Sequence, residues 1–181
     1  MSEPRVLLRA ATPADGDEYL ALARASRDLH LPWIHPPLDR SAWLALMARN
    51  AGDDAVLLLS CLRETGAIVG SFQLSQIFRG GFQNGCLGFF AVAGYEGRGL
   101  MTEGLQLTLR HAFSELGLHR VEANVQPANA RSRALVERCG FRHEGFSPRY
   151  LRVGGEWRDH ERYAITAEDW RDSSVRTASP P

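Results

Sequence analysis

The chain has 181 residues, of which 44% are hydrophobic and 23% charged, and its 21 basic and 21 acidic side chains give a formal net charge of zero. These values are ordinary for a globular domain, and they argue against disorder and against a nucleic-acid partner, which usually requires a basic excess. Three widely spaced cysteines, no leader-like N-terminus and no long apolar run favour a soluble cytoplasmic protein without a disulfide framework, a metal or a membrane partner. We expect one domain over residues 1–170 and a flexible tail over 171–181.

The first half of the chain predicts one strand, then two helices, then two strands. In chain order these are a strand over 5–10, a helix over 12–27, a loop over 26–37, a helix over 39–50 and two antiparallel strands over 55–63 and 67–77. The first helix has an N-cap signal at Thr12, followed by Pro13 at the first helical position. The prolines of SRDLHLPWIHPP predict an ordered loop without regular secondary structure.

The second half predicts four further strands and two further helices. They are a strand over 86–93, a helix from the following glycine loop to 116, a strand over 119–126, a helix over 129–140 and a hairpin over 141–153 and 156–166. The unit over 86–126 requires a right-handed parallel crossover, whereas the other strands can pair antiparallel. The order therefore predicts an α+β fold around a central sheet of about seven strands, mixed but mostly antiparallel.

The stretch GYEGRGLMTEG, residues 94–104, places four glycines between a predicted strand and a predicted helix. Such a loop collects unpaired backbone N–H groups at the positive end of the helix dipole, which favours an anion. A dinucleotide fingerprint starting at Gly97 fails, because its third glycine falls on Thr102. A P-loop fails as well, because Leu105 and Gln106 stand where lysine and Ser/Thr are required. The remaining candidate is a pyrophosphate that is bound but not broken.

At this loop the chain resembles the GNAT acyl-CoA N-acyltransferases, whose signature [QR]-x-x-G-x-[GA] matches here at Gly99 and departs at Glu96 and Met101. A second family motif, an Asn-initiated helix that ends in Gly-Phe, matches at its expected spacing. Its residues are Asn129, Ser132, Leu135, Gly140 and Phe141. The amino-acid sequence of the loop is similar to that of the ribosomal-protein-alanine N-acetyltransferase branch of the family. The resemblance implies a three-layer fold with helices on both faces of the sheet.

The resemblance also implies roles for individual residues in binding acetyl-CoA as cosubstrate. The strand around 89–93 should be splayed from its neighbour so that its backbone pairs with the pantetheine arm. The implied contacts are the backbones of Phe90, Ala91 and Val92 for pantetheine, the loop residues Arg98, Gly99, Leu100, Met101 and Thr102 for the pyrophosphate, and Asn129 for orienting the pantetheine arm. Many relatives protonate the leaving thiolate with a tyrosine, at a position where this chain has Val136, so Ser132 is the implied proton donor.

The sequence identifies fewer residues for the acceptor side of the site than for the coenzyme side. By resemblance His30, Trp33 and His35 frame the acceptor, although Trp33 could equally fill the core. The candidate bases Glu122, Glu144, Asp159 and His160 are not separated, and Glu103 suits a helix N-terminus whatever the chemistry. The sequence thus predicts an N-acetyltransferase, monomeric or homodimeric, acting on a primary amine, first of all the N-terminal amine of a ribosomal protein. A small-molecule amine and an inactive CoA-binding module are the alternatives.

Overall fold

Seven strands form one sheet in the computed structural model, which describes residues 3–170. The strands are β1 Val6–Ala10, β2 Val56–Leu62, β3 Ile68–Phe78, β4 Asn84–Ala91, β5 Arg120–Val125, β6 Arg142–Val153 and β7 Glu156–Thr166. They lie in the order β1-β2-β3-β4-β5-β7-β6, and only the β4–β5 pair is parallel. The predicted mixed, mostly antiparallel sheet is confirmed, while the predicted tail over 171–181 lies outside the described residues.

Helices cover both faces of this sheet. They are α1 Gly16–Ala25, α2 Arg27–His30, α3 Arg40–Arg49, α4 Leu100–Arg110 and α5 Ala130–Arg138. On one face α1 and α3 bury Tyr19 and Trp43 against the apolar side chains of β2, β3 and β4. On the other face α4 and α5 bury Leu105 and Val136 against β3, β5 and β7. The three-layer arrangement expected from the resemblance is therefore present.

Two helical segments differ from the sequence prediction. The stretch 26–37 is not wholly irregular, because α2 forms one helical turn before the first proline, Pro32, is reached. The helix after the glycine loop widens at its end into a π-helical turn, His111–Glu115, in which the N–H of Leu116 donates to the carbonyl of His111 at 3.0 Å. Composition does not reveal such a turn, since it keeps the same apolar face. None of the helices within residues 3–170 is long and apolar enough to cross a membrane.

The position of α4 depends on a close approach at Gly104. A β-carbon there would lie 2.6 Å from the Phe72 ring and 2.9 Å from the Ser60 hydroxyl, so the helix backbone rests directly on β2 and β3. A larger side chain would lift the helix from the sheet. The contact fixes the N-terminal end of α4 at the edge of β4, beside the place where the sheet opens.

Candidate active site

The sheet opens between β4 and β5, as the resemblance implied. The two strands pair from Asn84 and Arg120 to Leu87 and Ala123, and no pair follows, although β4 continues to Ala91. A cavity of about 1250 Å³ occupies the opening and is lined from both sides of the sheet. A ligand can therefore reach through the sheet at this point.

The backbone groups that face the opening belong to Phe89 and Ala91. Val92 donates its N–H to the carbonyl of Val69 at 2.9 Å, and in an antiparallel pair only alternate residues bond to the same neighbour. Phe90 therefore shares the phase of Val92 and bonds to β3. This corrects the expectation for the backbone groups of Phe90 and Val92, which are directed at β3, and it adds Phe89; Phe90 still lines the cavity. The sequence shows the strand but not which of its residues pair with β3.

The glycine loop reaches α4 through two left-handed residues. Gly97 has φ +72° and Gly99 has φ +78°, a region that side chains disfavour, and Gly99 is the N-cap of α4. The Glu96 carboxylate accepts the N–H of Gly94 at 2.6 Å, and backbone N–H donors lower the pKa of this carboxyl. Glu96 thus holds the start of the loop closed, while the first-turn amides of α4 remain available at the cavity.

Arg5 ties the loop to the first strand, and sequence reasoning missed it. Its backbone N–H and its Nε donate to the two oxygens of Glu103, each at 2.7 Å, and its Nη2 donates to the carbonyl of Arg98 at 2.6 Å. Glu103, which also lines the cavity, is therefore paired with Arg5. Nothing in the sequence links these residues, because Arg5 and Glu103 are 98 positions apart.

Among the predicted phosphate contacts, Gly99, Leu100, Met101 and Thr102 line the cavity. The Arg98 side chain does not line the cavity and lies instead over the Tyr95 ring, 5.6 Å from its centroid. Three other arginines take its place in the lining, and these are Arg5, Arg131 and Arg138. The cavity is therefore cationic on the side of α4 and α5.

The second motif brings Asn129 and Ser132 to the same cavity. Asn129 Oδ1 accepts the N–H of Ser132 at 3.1 Å and so caps α5, as its place in the sequence predicts. The half-buried Ser132 hydroxyl lines the cavity, and no described residue bonds to it. Val136 is fully buried in the core, which agrees with a serine rather than this position facing the ligand.

The three acceptor residues expected from the resemblance occupy three different environments in the structure. His30 is buried and donates Nε2–H to the carbonyl of Ala91 at 2.9 Å, and burial lowers its pKa. Trp33 is half-buried and lines the cavity, while Trp43 is the tryptophan that fills the core. His35 lies outside the cavity, because its ring rests against the β6–β7 turn, 2.5 Å from where a β-carbon on Gly154 would stand.

The carboxylates considered as bases lie away from the cavity. Glu122 and Glu144 both bind Arg120, at 2.9 and 2.5 Å, near the closed end of the β4–β5 pair, and the arginine lowers the pKa of Glu144. Asp159 accepts the backbone N–H of Arg149 at 2.7 Å. Of the four candidates only His160 lines the cavity.

Comparisons with known proteins agree with this geometry. The chain is 39% identical over 102 residues to the probable N-acetyltransferase YjcK of Bacillus subtilis, which is 56% of each protein. It is 39% identical over 103 residues to the [ribosomal protein uS5]-alanine N-acetyltransferase of Escherichia coli, which is 57% of this chain and 53% of that protein. These matches span about half the length of the curated relatives.

A solved structure extends the likeness to nearly the whole chain. It is Mycobacterium smegmatis RimJ in complex with CoA-disulfide, with a TM-score of 0.83 and 28% identity over 95% of this chain and 89% of that one. The family model described as an acetyltransferase (GNAT) domain matches residues 5–142, which include the glycine loop, the opened sheet and the Asn129 helix. On this evidence the chain belongs to the GNAT acetyltransferase family.

Proposed function

We propose that this chain is an acetyl-CoA-dependent N-acetyltransferase whose acceptor is the α-amine of a protein N-terminus. The observation that carries the proposal is the opening between β4 and β5. It joins a loop of available backbone amides and arginines on one side to a pocket lined mainly by uncharged side chains on the other. Two substrates can therefore meet within the sheet in a ternary complex. The acetyl group can then pass directly from one to the other, without a covalent enzyme intermediate.

The residues around the opening fit the chemistry of coenzyme A. The first-turn amides of α4 suit a pyrophosphate, and Arg5, Arg131 and Arg138 supply positive charge beside them. The backbone of Phe89 and the N–H of Ala91, whose carbonyl already accepts from His30, can bond to the pantetheine amides in the manner of an added strand. The complex of the Mycobacterium smegmatis relative with CoA-disulfide supports the same assignment.

Acetyl-CoA supplies an activated acetyl thioester to this site. A backbone N–H at Phe89 or Ala91 is placed to polarise the thioester carbonyl, because both lie on the edge facing the opening. Ser132 lines the cavity from α5 and no described residue bonds to its hydroxyl, so it is the available donor for the departing thiolate. The nucleophile is the lone pair of the acceptor nitrogen.

The acceptor side favours a single amine over a polycation. The side chains that line it from the face of α1–α3 include His30, Trp33, Asn124, Gln126 and His160, and Asp28 adds one exposed carboxylate from α2. A polyamine carries several positive charges and calls for several carboxylates. A peptide N-terminus carries one, and the Escherichia coli relative is named for such an acceptor in a ribosomal protein.

Two measurements test the proposal. Acetyl-CoA should raise the melting temperature more than ATP or NAD does. Acetyl-CoA and a peptide beginning with alanine should then release free thiol, whereas the same peptide with an N-acetyl block should not. Faster release with spermidine than with any free peptide would overturn the acceptor assignment. Stabilisation by acetyl-CoA without thiol release from any amine would leave a CoA-binding module and overturn the catalytic assignment.

A further inference from the structure

Asn124 and His160 lie side by side where the sheet opens. Asn124 directly follows Ala123, the last residue of β5 that pairs with β4, and it lies opposite Arg162 of β7. His160 is two residues before Arg162 and therefore projects from the same face as Asn124, as its diagonal neighbour. Both line the cavity, on the face that carries Trp33 and the other acceptor-side residues.

The hydrogen bond of His160 fixes its tautomer. Its Nδ1 is 2.9 Å from the carbonyl of Arg158, and since a carbonyl can only accept, Nδ1 carries the proton. Nε2 is then left with a lone pair, and no described residue bonds to it. Burial lowers the pKa of this ring, although the adjacent Asp159 acts in the opposite direction. The other titratable ring beside it is Tyr150, 6.1 Å away between centroids.

Asn124 presents a second unsatisfied acceptor. Its Oδ1 is shielded from solvent and has no hydrogen-bond partner among the described residues, so it meets a ligand N–H when the side chain turns toward the cavity that Asn124 lines. A buried acceptor without a donor destabilises the folded protein, so such a group gains free energy when a ligand N–H reaches it. Two neighbouring acceptors without donors are the complement of an amine, which carries two or three N–H groups.

We propose that His160 is the general base of acetyl transfer and that Asn124 orients the acceptor nitrogen through its Oδ1. The inference rests on the proposed N-acetyltransferase function. The first proton of the substrate ammonium passes to His160 Nε2 and then to solvent, which frees the lone pair that forms the N–C bond. The second proton, released as that bond forms, passes by way of Ser132 to the sulfur as the C–S bond breaks.

Of the three carboxylates in the cavity lining, two are otherwise engaged, and the third, Asp28, is an exposed residue of α2. Glu103 is bonded to Arg5 and Glu96 to Gly94. His30 is a second histidine at the cavity, but its Nε2–H is donated to the carbonyl of Ala91, and its Nδ1 is shielded from solvent. The difference between the two histidines is therefore one of access: His160 lines the cavity with a ring nitrogen that is neither bonded nor fully shielded.

The pH profile of His160→Gln tests the base. A peptide amine has a pKa of about 8, so only about a tenth of it is neutral at pH 7, and loss of the base should lower kcat/KM about ten-fold or more there. The deficit should shrink toward pH 9, where the amine is already neutral. A deficit equal at all pH values, or none, would overturn the proposal. His119→Gln, the same change on an exposed ring, is the matched control.

Three further measurements complete the test. In wild type, kcat at saturating peptide should be flat from pH 7 to 9, and a ten-fold rise per pH unit up to about pH 8 would overturn the base assignment even if His160→Gln does not fold. Added imidazole should restore part of the activity of His160→Ala.

Asn124→Ala should raise the KM for the peptide while the Kd for acetyl-CoA stays within about two-fold, and an unchanged KM would remove Asn124 from the site. Absence of thiol release by wild type itself would overturn the proposed function, and this inference with it.

Discussion

The Met101 side chain occupies the space that a β-carbon on Gly70 would fill. Such a carbon would lie 2.5 Å from Met101 Sδ and 2.9 Å from the carbonyl oxygen of Phe90. The family signature has glycine or alanine where this chain has Met101, and the larger side chain is accommodated because β3 has a glycine beneath it. The departure at Met101 is therefore compensated by packing against the sheet, and its backbone remains at the cavity.

Gly70→Ala should weaken acetyl-CoA binding and lower the free energy of unfolding, since both Met101 and the edge of β4 would have to move. We expect a loss of about 1–3 kcal/mol, as for overpacking of a core. Met101→Ala in the same chain should recover part of it, leaving the contact with the Phe90 carbonyl. Denaturant unfolding and calorimetric binding of acetyl-CoA measure both effects. Equal losses with and without Met101→Ala would show that the two residues are not coupled.

Glu103→Gln should loosen the glycine loop. The change removes the charge and turns one of the two acceptor oxygens into an N–H donor, so one of the hydrogen bonds that Arg5 donates is lost while the size of the side chain is kept. We expect binding of acetyl-CoA to weaken about five-fold, the equivalent of about 1 kcal/mol for a partly exposed ion pair. Glu115→Gln, which alters the exposed pair with His111 at the other end of the same helix, is the control and should bind normally.

Ser132→Ala should slow thiol release about ten-fold or more while the affinity for acetyl-CoA is kept. The helix cap should survive, because Asn129 accepts the backbone N–H of Ser132 and not its hydroxyl. Steady-state kinetics with an alanine-initiated peptide provide the measurement. Ser114→Ala, at an exposed position in the π-helical turn, is the matched control. An unchanged kcat would remove Ser132 from the mechanism.

Asp15→Asn should destabilise the protein in a pH-dependent way. Arg9 donates to the Asp15 carboxylate at 2.6 and 3.0 Å and, with Thr12, lowers the pKa of Asp15 to about 2. Because the folded pKa lies below the unfolded value of about 3.9, the stabilisation is complete near neutral pH and is lost as the pH falls from about 4 to 2. We expect a cost of about 1–2 kcal/mol at pH 7, after solvent screening of Arg9 is allowed for.

Urea unfolding of wild type and Asp15→Asn at pH 7, 5 and 3 would check this dependence. The difference in the free energy of unfolding should be similar at the two higher values and smaller at pH 3. A difference that stays constant down to pH 3 would mean that Asp15 acts through its shape and its bonds to Thr12 rather than through its charge.

The sequence predicts the parts of the site that are encoded locally. The glycine loop, the helix after it and the Asn129 cap each depend on neighbouring residues, and all three appear where they were expected. Contacts between distant segments could not be predicted. Arg5 with Glu103 and Gly70 with Met101 are packing relationships that no short motif encodes.

Strand phase is the other limit of the sequence-based prediction. The order of elements places a strand beside the loop, but which residues face the opening depends on the hydrogen bond between Val92 and Val69. That bond is set by the pairing of β3 with β4, so Phe90 and Val92 were chosen where Phe89 and Ala91 face the opening. Likewise, position along the strands separates His160 from Glu122, because Glu122 lies in the paired part of β5 whereas Asn124 and His160 lie where the sheet opens.

The short pairing of β4 with β5 also has a mechanical consequence. Among the described residues, β5 pairs with β4 at Asn84, Gly85, Cys86 and Leu87, with added backbone bonds to the carbonyl of Gln83, and this short seam joins β5, β7 and β6 to the rest of the sheet. A ligand bonded to the open edge at Phe89 and Ala91 while packed against α5 would bridge the two halves of the sheet. Occupancy should then slow amide hydrogen exchange in β6 and β7, which lie on the far side of the seam. Ligand binding would thus set how firmly the two halves of the molecule are held together.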